Sequence, residues 1–219
     1  ERAKRRDVEN AVARLTDDVG DRLVIGRIDR AELSKNVWRG LLAFRELLRT
    51  RPEWHDRVVH VVFDHPSRED LPEYREYTAS IERLAAEIND EFSTEEWTPV
   101  LLTIAEDYPA ALATLRSSDV LFINPLRDGM NLVALEGLVV SDRDPALVLS
   151  HEAGAADVLG EDAFLVNPFD VTAMAEALHA ALTSSPTERR ERAQRMREAA
   201  TRLPPDRWFQ AQLDALDDR

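Results

Sequence analysis

The chain has 219 residues, of which 44% are apolar and 32% are charged, so it can bury a sizeable core as a globular protein. Its net charge of −14, from 28 basic and 42 acidic residues, argues against a surface that binds nucleic acid or an anionic membrane. The chain contains no cysteine, which excludes disulfides, thiolate metal sites and a cysteine nucleophile and is compatible with a cytoplasmic location.

The first residues of this sequence are mostly charged. Residues 1–6 read Glu-Arg-Ala-Lys-Arg-Arg, without an initiator methionine and without the apolar stretch of a signal peptide. No apolar run in the chain approaches the roughly 20 residues that a membrane-spanning helix needs. We therefore expect a chain that is cut from a longer protein and does not cross a membrane.

Short β-rich apolar runs alternate with apolar residues at helical spacing along the whole chain. The predicted strands are residues 23–28, 58–63, 100–104, 120–123, 146–149 and 163–166. The predicted helices are residues 8–15, 37–48, 74–88, 109–116, a helix beginning near 130, and 153–159, 171–182, 187–201 and 207–216. This alternation predicts an α/β domain with a parallel sheet buried on both faces, so ligands are expected beyond the carboxyl ends of the strands.

Three cations follow the first two predicted strands. Arg30 and Lys35 lie in the segment 29–36 before a helix, where a guanidinium fork and a mobile ammonium could share a diphosphate. Arg68 follows the second strand. The alternative interpretation is that all three are solvated surface charges.

The segment from Asn124 to Glu136 runs from a strand end through a turn into a helix. The amides of residues 129–131 are predicted to be unpaired at the helix start, where they could bind an anion or sugar hydroxyls. Glu136, one to two turns later, could accept hydrogen bonds from a ribose. The alternative is that Asp128 is a helix cap and Glu136 a solvated helix residue.

These segments resemble trehalose-6-phosphate synthases of glycosyltransferase family 20. The signature of that family is matched by residues 125–136, and its donor-phosphate loop by residues 29–36. Further matches in the same order are Trp97-Thr98-Pro99, Ser118-Asp119-Val120, Val148-Leu149-Ser150, Ala153-Gly154-Ala155-Ala156 and Val166-Asn167-Pro168-Phe169-Asp170.

The resemblance implies a Rossmann-like parallel sheet with helices on both faces, the C-terminal half of a two-domain GT-B glycosyltransferase. Residues 1–219 would form the nucleotide-sugar-binding domain, with residues 205–219 as a helical C-terminal extension. The N-terminal domain, which binds the acceptor, would be absent from this chain. The helix from Trp208 to Leu216 would reach back toward that domain.

The resemblance also implies roles for individual residues. Arg30 and Lys35 would hold the donor diphosphate and stabilise the leaving nucleotide, with Arg68 in the same pocket. Arg27 competes with Arg30 for this role, but only Arg30 keeps the five-residue spacing to Lys35 that the family has. The donor sugar and nucleoside would be bound by Asp128, Gly129, Met130, Asn131, Leu132, Val133 and Glu136.

The implied reaction is transfer of glucose, with retention, from UDP-glucose or GDP-glucose to glucose 6-phosphate, forming α,α-trehalose 6-phosphate. No cofactor and no essential metal is expected, and nucleic acid and membrane are not expected partners. Leu33 and Asn36 depart from the aromatic or proline and the glycine that relatives commonly have there, which leaves the nucleotide base open. We expect this chain alone to bind donor but to turn over poorly or not at all; a homo-oligomer remains open.

Two rival functions remain at this point. One is a pseudo-glycosyltransferase that couples cyclitols through a carbon–nitrogen bond, although Met130 favours the sugar-transferring branch. The other is a regulatory subunit that binds a sugar nucleotide without catalysis. The five histidines show no metal-ligand spacing, and His60 is predicted to lie in or near the core.

Overall fold

Six strands and nine helices alternate in the described part of the chain, which comprises residues 5–202 and 205–217 of a computed structural model. The strands are β1 (Leu23–Arg30), β2 (Val58–His65), β3 (Val100–Ile104), β4 (Val120–Ile123), β5 (Ala146–Ser150) and β6 (Phe164–Val166). The helices are α1 (Arg6–Val19), α2 (Val37–Thr50), α3 (Pro72–Phe92), α4 (Tyr108–Ser117), α5 (Leu132–Val140), α6 (Ala156–Leu159), α7 (Val171–Thr183), α8 (Pro186–Thr201) and α9 (Pro205–Asp217).

The six strands form one parallel sheet in the order β3-β2-β1-β4-β5-β6. Strand β1 lies between β2 and β4, and Ile25 pairs with His60 on one side and Val120 on the other. The predicted α/β fold with a parallel sheet is therefore confirmed. In this order the chain reverses direction across the sheet between β1 and β4, and ligands bind at such a switch point in doubly wound folds.

Helices cover both faces of the sheet. One apolar cluster joins the sheet to α2, α3 and α7, and a second joins it to α4, α5 and α8. Every residue of β4 and β5 is buried, as expected for parallel strands with helices on both sides. The carboxyl ends of the strands consequently form one edge of the molecule on which the connecting loops lie together.

The first two strands are each two residues longer than predicted. Arg30 still pairs with His65 in the sheet, and the Ala31 amide donates to the His65 carbonyl at 2.8 Å. Asp29 and Arg30 therefore belong to the strand and not to the following loop. Polar side chains at these positions masked the strand end, because the apolar pattern stops at Ile28 while the backbone hydrogen bonds continue.

Two predicted helices are shorter in the structure. The helix predicted from residue 130 begins at Leu132, and the helix predicted over 153–159 is the single turn α6. Helix α9 exposes Phe209, Leu213 and Leu216, while the side chain of Trp208 lies outside the described residues, with those of residues 205, 211 and 217. Across the described ranges, no helix has both the length and the hydropathy of a membrane span.

Candidate functional site

A cavity of about 430 Å³ opens at the carboxyl ends of β1 and β2, beside α4 and α5. Its polar lining includes Asp29, Arg30, Lys35 and Glu136. Three larger depressions lie elsewhere among the described residues. The one of about 800 Å³ along β3 sets Arg14 among the carboxylates of Asp18, Glu82 and Asp107. The smaller cavity is the one with cations at the switch point of the sheet, and we take it as the candidate site.

The end of β1 and the turn that follows it supply both cations. Arg30, the last residue of β1, has a side chain that is 60% exposed, and its Nη1 lies 2.7 Å from Oε1 of Glu32. Lys35 ends a 3₁₀ turn that spans Leu33–Lys35. Asn36 then takes the left-handed conformation, with φ of 60°, and the chain enters α2. Asn is among the few residues that accept this conformation, which explains structurally how it replaces glycine here.

The segment between β4 and α5 meets this turn directly. The Leu126 amide donates to the Ser34 carbonyl at 2.8 Å, and Lys35 Nζ lies 2.5 Å from Asp128 Oδ2. The side chain of Asn131 donates to the same carboxylate oxygen at 3.2 Å. A cation suited to phosphate and a carboxylate suited to sugar hydroxyls are thus in contact.

The two carboxylates beside Lys35 differ in their pKa values. Burial would raise the pKa of Asp128, but the hydrogen bond and the charge of Lys35 outweigh it and hold that pKa below its ordinary value. For Asp29 the order is reversed, because burial raises the pKa more than the charges of Arg27 and Lys35 lower it. Asp128 is therefore the carboxylate that stays ionised as a hydrogen-bond acceptor.

The backbone of residues 128–130 rests on the turn between β5 and α6. Asp128 donates its amide to the Glu152 carbonyl at 3.1 Å, and its own carbonyl accepts the Gly154 amide at 2.9 Å. A Cβ atom on Gly154 would overlap the carbonyl oxygen of Gly129, so only glycine permits this approach. No atom lies within 4 Å of the position that a Cβ atom on Gly129 would take, so this side of the residue is open.

The predicted arrangement of free amides at the start of α5 is wrong in part. Asn131 caps the helix, with its Oδ1 accepting the Ala134 amide at 3.0 Å, and its backbone is left-handed with φ of 67°. The Met130 amide is directed to Asp128 Oδ1 at 3.4 Å and not outward. Asp128 is consequently neither the cap nor a free side chain, because its carboxylate is held by donors from its own loop and by Lys35.

The structure brings together most of the predicted site residues. Arg30, Lys35, Val133 and Glu136 line one cavity, and the loop of residues 128–131 is joined to it through Lys35. Leu132 is half-exposed at the helix start and does not line that cavity.

The two other arginines of the sequence-based prediction lie elsewhere. Arg68 is exposed, donates to Tyr74 Oη at 3.1 Å, stacks over the Tyr74 ring and does not line the cavity. Arg27 is buried beneath the site, so that of the two competing arginines only Arg30 reaches the cavity.

Sequence reasoning missed an apolar part of the cavity. Ala111 and Leu112 of α4 face Val133 and Val140 of α5 there, with Tyr108 at the rim. These residues carry no motif, and only the packing of α4 beside α5 creates the slot. Within residues 5–202 and 205–217 no group of three or more His, Asp or Glu side chains could hold a metal ion.

Residues 1–218 match the family model described as Glycosyltransferase family 20. An α,α-trehalose-phosphate synthase [UDP-forming] from Yarrowia lipolytica is 35% identical, with 99% of this chain and 46% of the relative covered. A validamine 7-phosphate valienyltransferase from Streptomyces hygroscopicus subsp. limoneus is 36% identical over 90% of this chain and 38% of its own length.

A solved structure described as trehalose-6-phosphate from E. coli bound with UDP-2-fluoro glucose superposes with a TM-score of 0.88 and 32% identity. The alignment covers 94% of this chain and 46% of that one, so the chain spans less than half the length of each of these relatives. The match to the family model over nearly every residue, and the fold shared at this identity, place the chain in glycosyltransferase family 20.

Proposed function

We propose that this chain is the donor-binding half of a retaining glucosyltransferase that forms α,α-trehalose 6-phosphate from UDP-glucose and glucose 6-phosphate. The observation that carries the proposal is the 2.5 Å contact between Lys35 and Asp128 at the switch point of the sheet. It joins a phosphate-binding type of side chain to a sugar-binding type, beside a cavity that also holds Arg30 and Glu136.

The donor fits this site in one direction. Arg30 and Lys35 would bind the diphosphate, with the guanidinium turning from Glu32 to the phosphate oxygens. Asp128 and the backbone of residues 129–131 would bind the glucose. Glu136 would accept hydrogen bonds from the ribose, and the apolar slot between α4 and α5 would take the base. These roles are those that the resemblance to the family implies, and the placement of Arg30, Lys35 and Glu136 around one cavity supports them.

The chemical step places charge where the cations are. The bond between C1 of glucose and the diphosphate oxygen breaks, and its electron pair stays on the nucleoside diphosphate. The anomeric hydroxyl of glucose 6-phosphate forms the new bond on the same face and gives its proton to the leaving phosphate. Arg30 and Lys35 would stabilise the diphosphate charge more strongly as the bond breaks, which lowers the barrier.

The remaining parts of the proposal concern the whole protein. The acceptor would be bound by a part of the protein outside this chain, so the chain alone should bind donor without turnover. We assign the base as uracil because the Yarrowia relative is UDP-forming by name. A cytoplasmic location belongs to the same proposal and is supported by the absence of cysteine.

Donor binding should need no metal ion. Two cationic side chains already face the diphosphate position, so the charge that Mg²⁺ would neutralise has partners in the protein. The measurement is titration with UDP in the presence of EDTA and again with Mg²⁺, and the two affinities should agree within about twofold. An affinity that collapses in EDTA would contradict this part of the proposal.

The proposal is tested by calorimetric titration of the chain with UDP, UDP-glucose, GDP and GDP-glucose, with ADP as a reference nucleotide. UDP and UDP-glucose should bind, and the Lys35→Ala variant should lose roughly tenfold or more in affinity, since a charge-assisted hydrogen bond contributes about 1.5–3 kcal/mol. Arg49→Ala is the matched control. Arg49 is an exposed cation near the C-terminal end of α2, away from the site, and it is paired with Glu91. Heat signals from none of the five nucleotides would overturn the donor-site assignment.

The valienyltransferase relative supports a second candidate function, transfer of a cyclitol in place of glucose. Its identity to this chain is as high as that of the Yarrowia synthase, so the family match alone does not separate the two activities. Their donors differ in the transferred ring. Tighter binding of UDP-glucose than of UDP would show that the site accepts glucose, whereas equal or weaker binding would favour a cyclitol donor.

A further inference from the structure

A fully buried arginine lies under the candidate site. The side chain of Arg27 has no exposed surface, and its Nη2 pairs with Asp29 Oδ2 at 2.8 Å. Its guanidinium also donates to the side-chain oxygen of Asn124 and to the backbone carbonyl of Lys35. Its Nε has no hydrogen-bond partner among the described residues. Burying an arginine is costly even when most of its donors are paired, so Arg27 calls for an explanation beyond packing.

The partners of Arg27 belong to both loops of the site. Lys35 is on the loop after β1, and Asn124 is the first residue after β4. The buried guanidinium of Arg27 therefore joins the two loops at the switch point, and the Lys35–Asp128 contact joins them a second time. The two contacts hold the same pair of loops, one from inside the core and one from the cavity side.

Helix α2 closes over this arginine. A Cβ atom on Gly40 would lie 2.8 Å from Arg27 Nη1, so the helix approaches the guanidinium as closely as a glycine allows. The left-handed Asn36 at the start of α2 donates its side-chain amide to the carbonyls of Asn124 at 3.0 Å and Pro168 at 2.8 Å. The loops after β1, β4 and β6 are thereby joined in one buried polar network.

We propose that Arg27 is the positioning residue for Lys35: by holding the Lys35 carbonyl and Asn124 together, it sets the ammonium group against Asp128 at the donor diphosphate position. Arg27 touches neither the cavity nor the donor position and acts only through Lys35. The inference rests on the proposed function for the identity of the ligand. The placement of Lys35 itself can be measured without any ligand.

The ligand-free measurement is the acetylation rate of Lys35, which can be followed because lysine is rare in this chain. Lys4 and Lys35 are the only two lysines in the sequence, so the acetylation rate of Lys35 by a soluble acylating reagent can be followed by mass spectrometry, with Lys4 as internal reference. In the native chain Lys35 is mostly buried and paired with Asp128. Arg27→Gln should release it and raise its acetylation rate about tenfold, the scale expected for coupling between contacting residues.

The second measurement is a double-mutant cycle in UDP affinity. Arg27→Gln should weaken UDP binding about tenfold in the native background and have no effect in the Lys35→Ala background, because its influence passes through Lys35. Arg22→Gln is the matched control: Arg22 is also paired with an aspartate, Asp56 at 2.6 Å, but at the opposite end of the sheet. That variant should change neither the acetylation rate nor the UDP affinity.

The outcomes separate the two proposals. If the native chain does not bind UDP, the proposed function fails, and the acetylation rate still decides the role of Arg27. Where Arg27→Gln does not fold, the double variant Arg27→Gln/Asp29→Asn removes both buried charges together and is measured in its place. The inference is overturned if the acetylation rate of Lys35 is unchanged, if the effects of Arg27→Gln and Lys35→Ala on UDP affinity are additive, or if neither variant folds. Each of these results would show that Arg27 serves stability alone.

Discussion

At the scale of single residues, Gly129 is not needed by the fold, and we propose that it is needed by the ligand. Its backbone is not left-handed, and no atom lies within 4 Å of the position of an added Cβ. An alanine at this position therefore fits the ligand-free chain. The added methyl group would project from the loop that we assign to the donor glucose.

We predict that Gly129→Ala leaves the melting temperature and the UDP affinity unchanged but lowers the UDP-glucose affinity roughly tenfold. The loss corresponds to one or two hydrogen bonds to sugar hydroxyls, each contributing on the order of 1 kcal/mol. Calorimetry with both ligands and a thermal melt are sufficient. Equal losses for UDP and UDP-glucose would mean that the loop does not face the sugar.

Alternation along a strand explains which arginines could be predicted. Successive side chains of β1 point to opposite faces, so Arg27 and Asp29 share the face under α2, while Ile28 and Arg30 share the other. The five-residue spacing from Arg30 to Lys35 was visible in the sequence. The burial of Arg27 was not, because its pairing in the core includes Asn124, a contact with a residue 97 positions away that leaves no local pattern in the sequence. Arg68 was misplaced because its side chain stacks on Tyr74, a contact made through space.

At the scale of elements, the turn between β5 and α6 supports the loop of residues 128–131, which we assign to the donor glucose. The turn donates and accepts hydrogen bonds with residues 128–130, and Gly154 packs closely against Gly129. These contacts fix the position of that loop. The motif of residues 153–156 resembles that of the family, and its apolar spacing predicts the start of a helix. The helix begins only at Ala156, because the amides of Gly154 and Ala155 bond to the loop of residues 128–130. Such pairing with a distant loop leaves no local pattern in the sequence.

Gly154→Ala should therefore lower both stability, by about 1–3 kcal/mol, and UDP-glucose affinity, since the clash with the Gly129 carbonyl must displace one of the two segments. Gly160→Ala is the matched control. A Cβ atom there lies 2.5 Å from the Ala156 carbonyl, a similar clash within the α6 turn itself. Denaturant unfolding and calorimetry should show destabilisation in both variants and loss of donor affinity only in the first. The same affinity loss in both would make it a nonspecific effect of strain.

For the whole molecule, the sequence predicted the α/β class from alternating apolar periods, and this prediction is confirmed. The strand order was not contained in those periods, because a period reports which residues are buried and not which strands are neighbours. The order matters most for function: it places the end of β1 beside that of β4, and so brings together residues 93 positions apart, Lys35 and Asp128.

Two unpaired buried groups on β2 give the molecule a further property. His60 Nε2 and both carboxylate oxygens of Asp64 lack hydrogen-bond partners among the described residues. Burial lowers the pKa of His60 to about 4, although its Nδ1 contacts the Ile25 carbonyl, and Arg27 lowers it further. Burial raises the pKa of Asp64 to about 7, with Asp29 adding to the shift and Arg27 opposing it. Both groups are therefore neutral in the folded chain at mildly acidic pH.

Their effects on stability have opposite signs. Between about pH 4 and 6.5 the unfolded chain protonates His60 and the folded chain does not, so this group makes stability rise with pH. Between 3.8 and about 7 the folded chain keeps the Asp64 proton and the unfolded chain loses it, so that group makes stability fall with pH. Each slope is about 1.4 kcal/mol per pH unit, and the two cancel where the windows overlap.

Removing one group should expose the slope of the other. Relative to the native chain, Asp64→Asn should gain stability as pH rises from 4.5 to 6.5, and His60→Gln should lose it, by about 1.4 kcal/mol per unit in each case. The differences between chains are the quantity to measure, by urea unfolding at three pH values, because every other titrating group is common to all three and drops out. A difference that stays constant with pH would show that the folded and unfolded chains hold that proton alike. The cancellation would then have no basis, and the neutral state assigned to that group in the folded chain would be wrong.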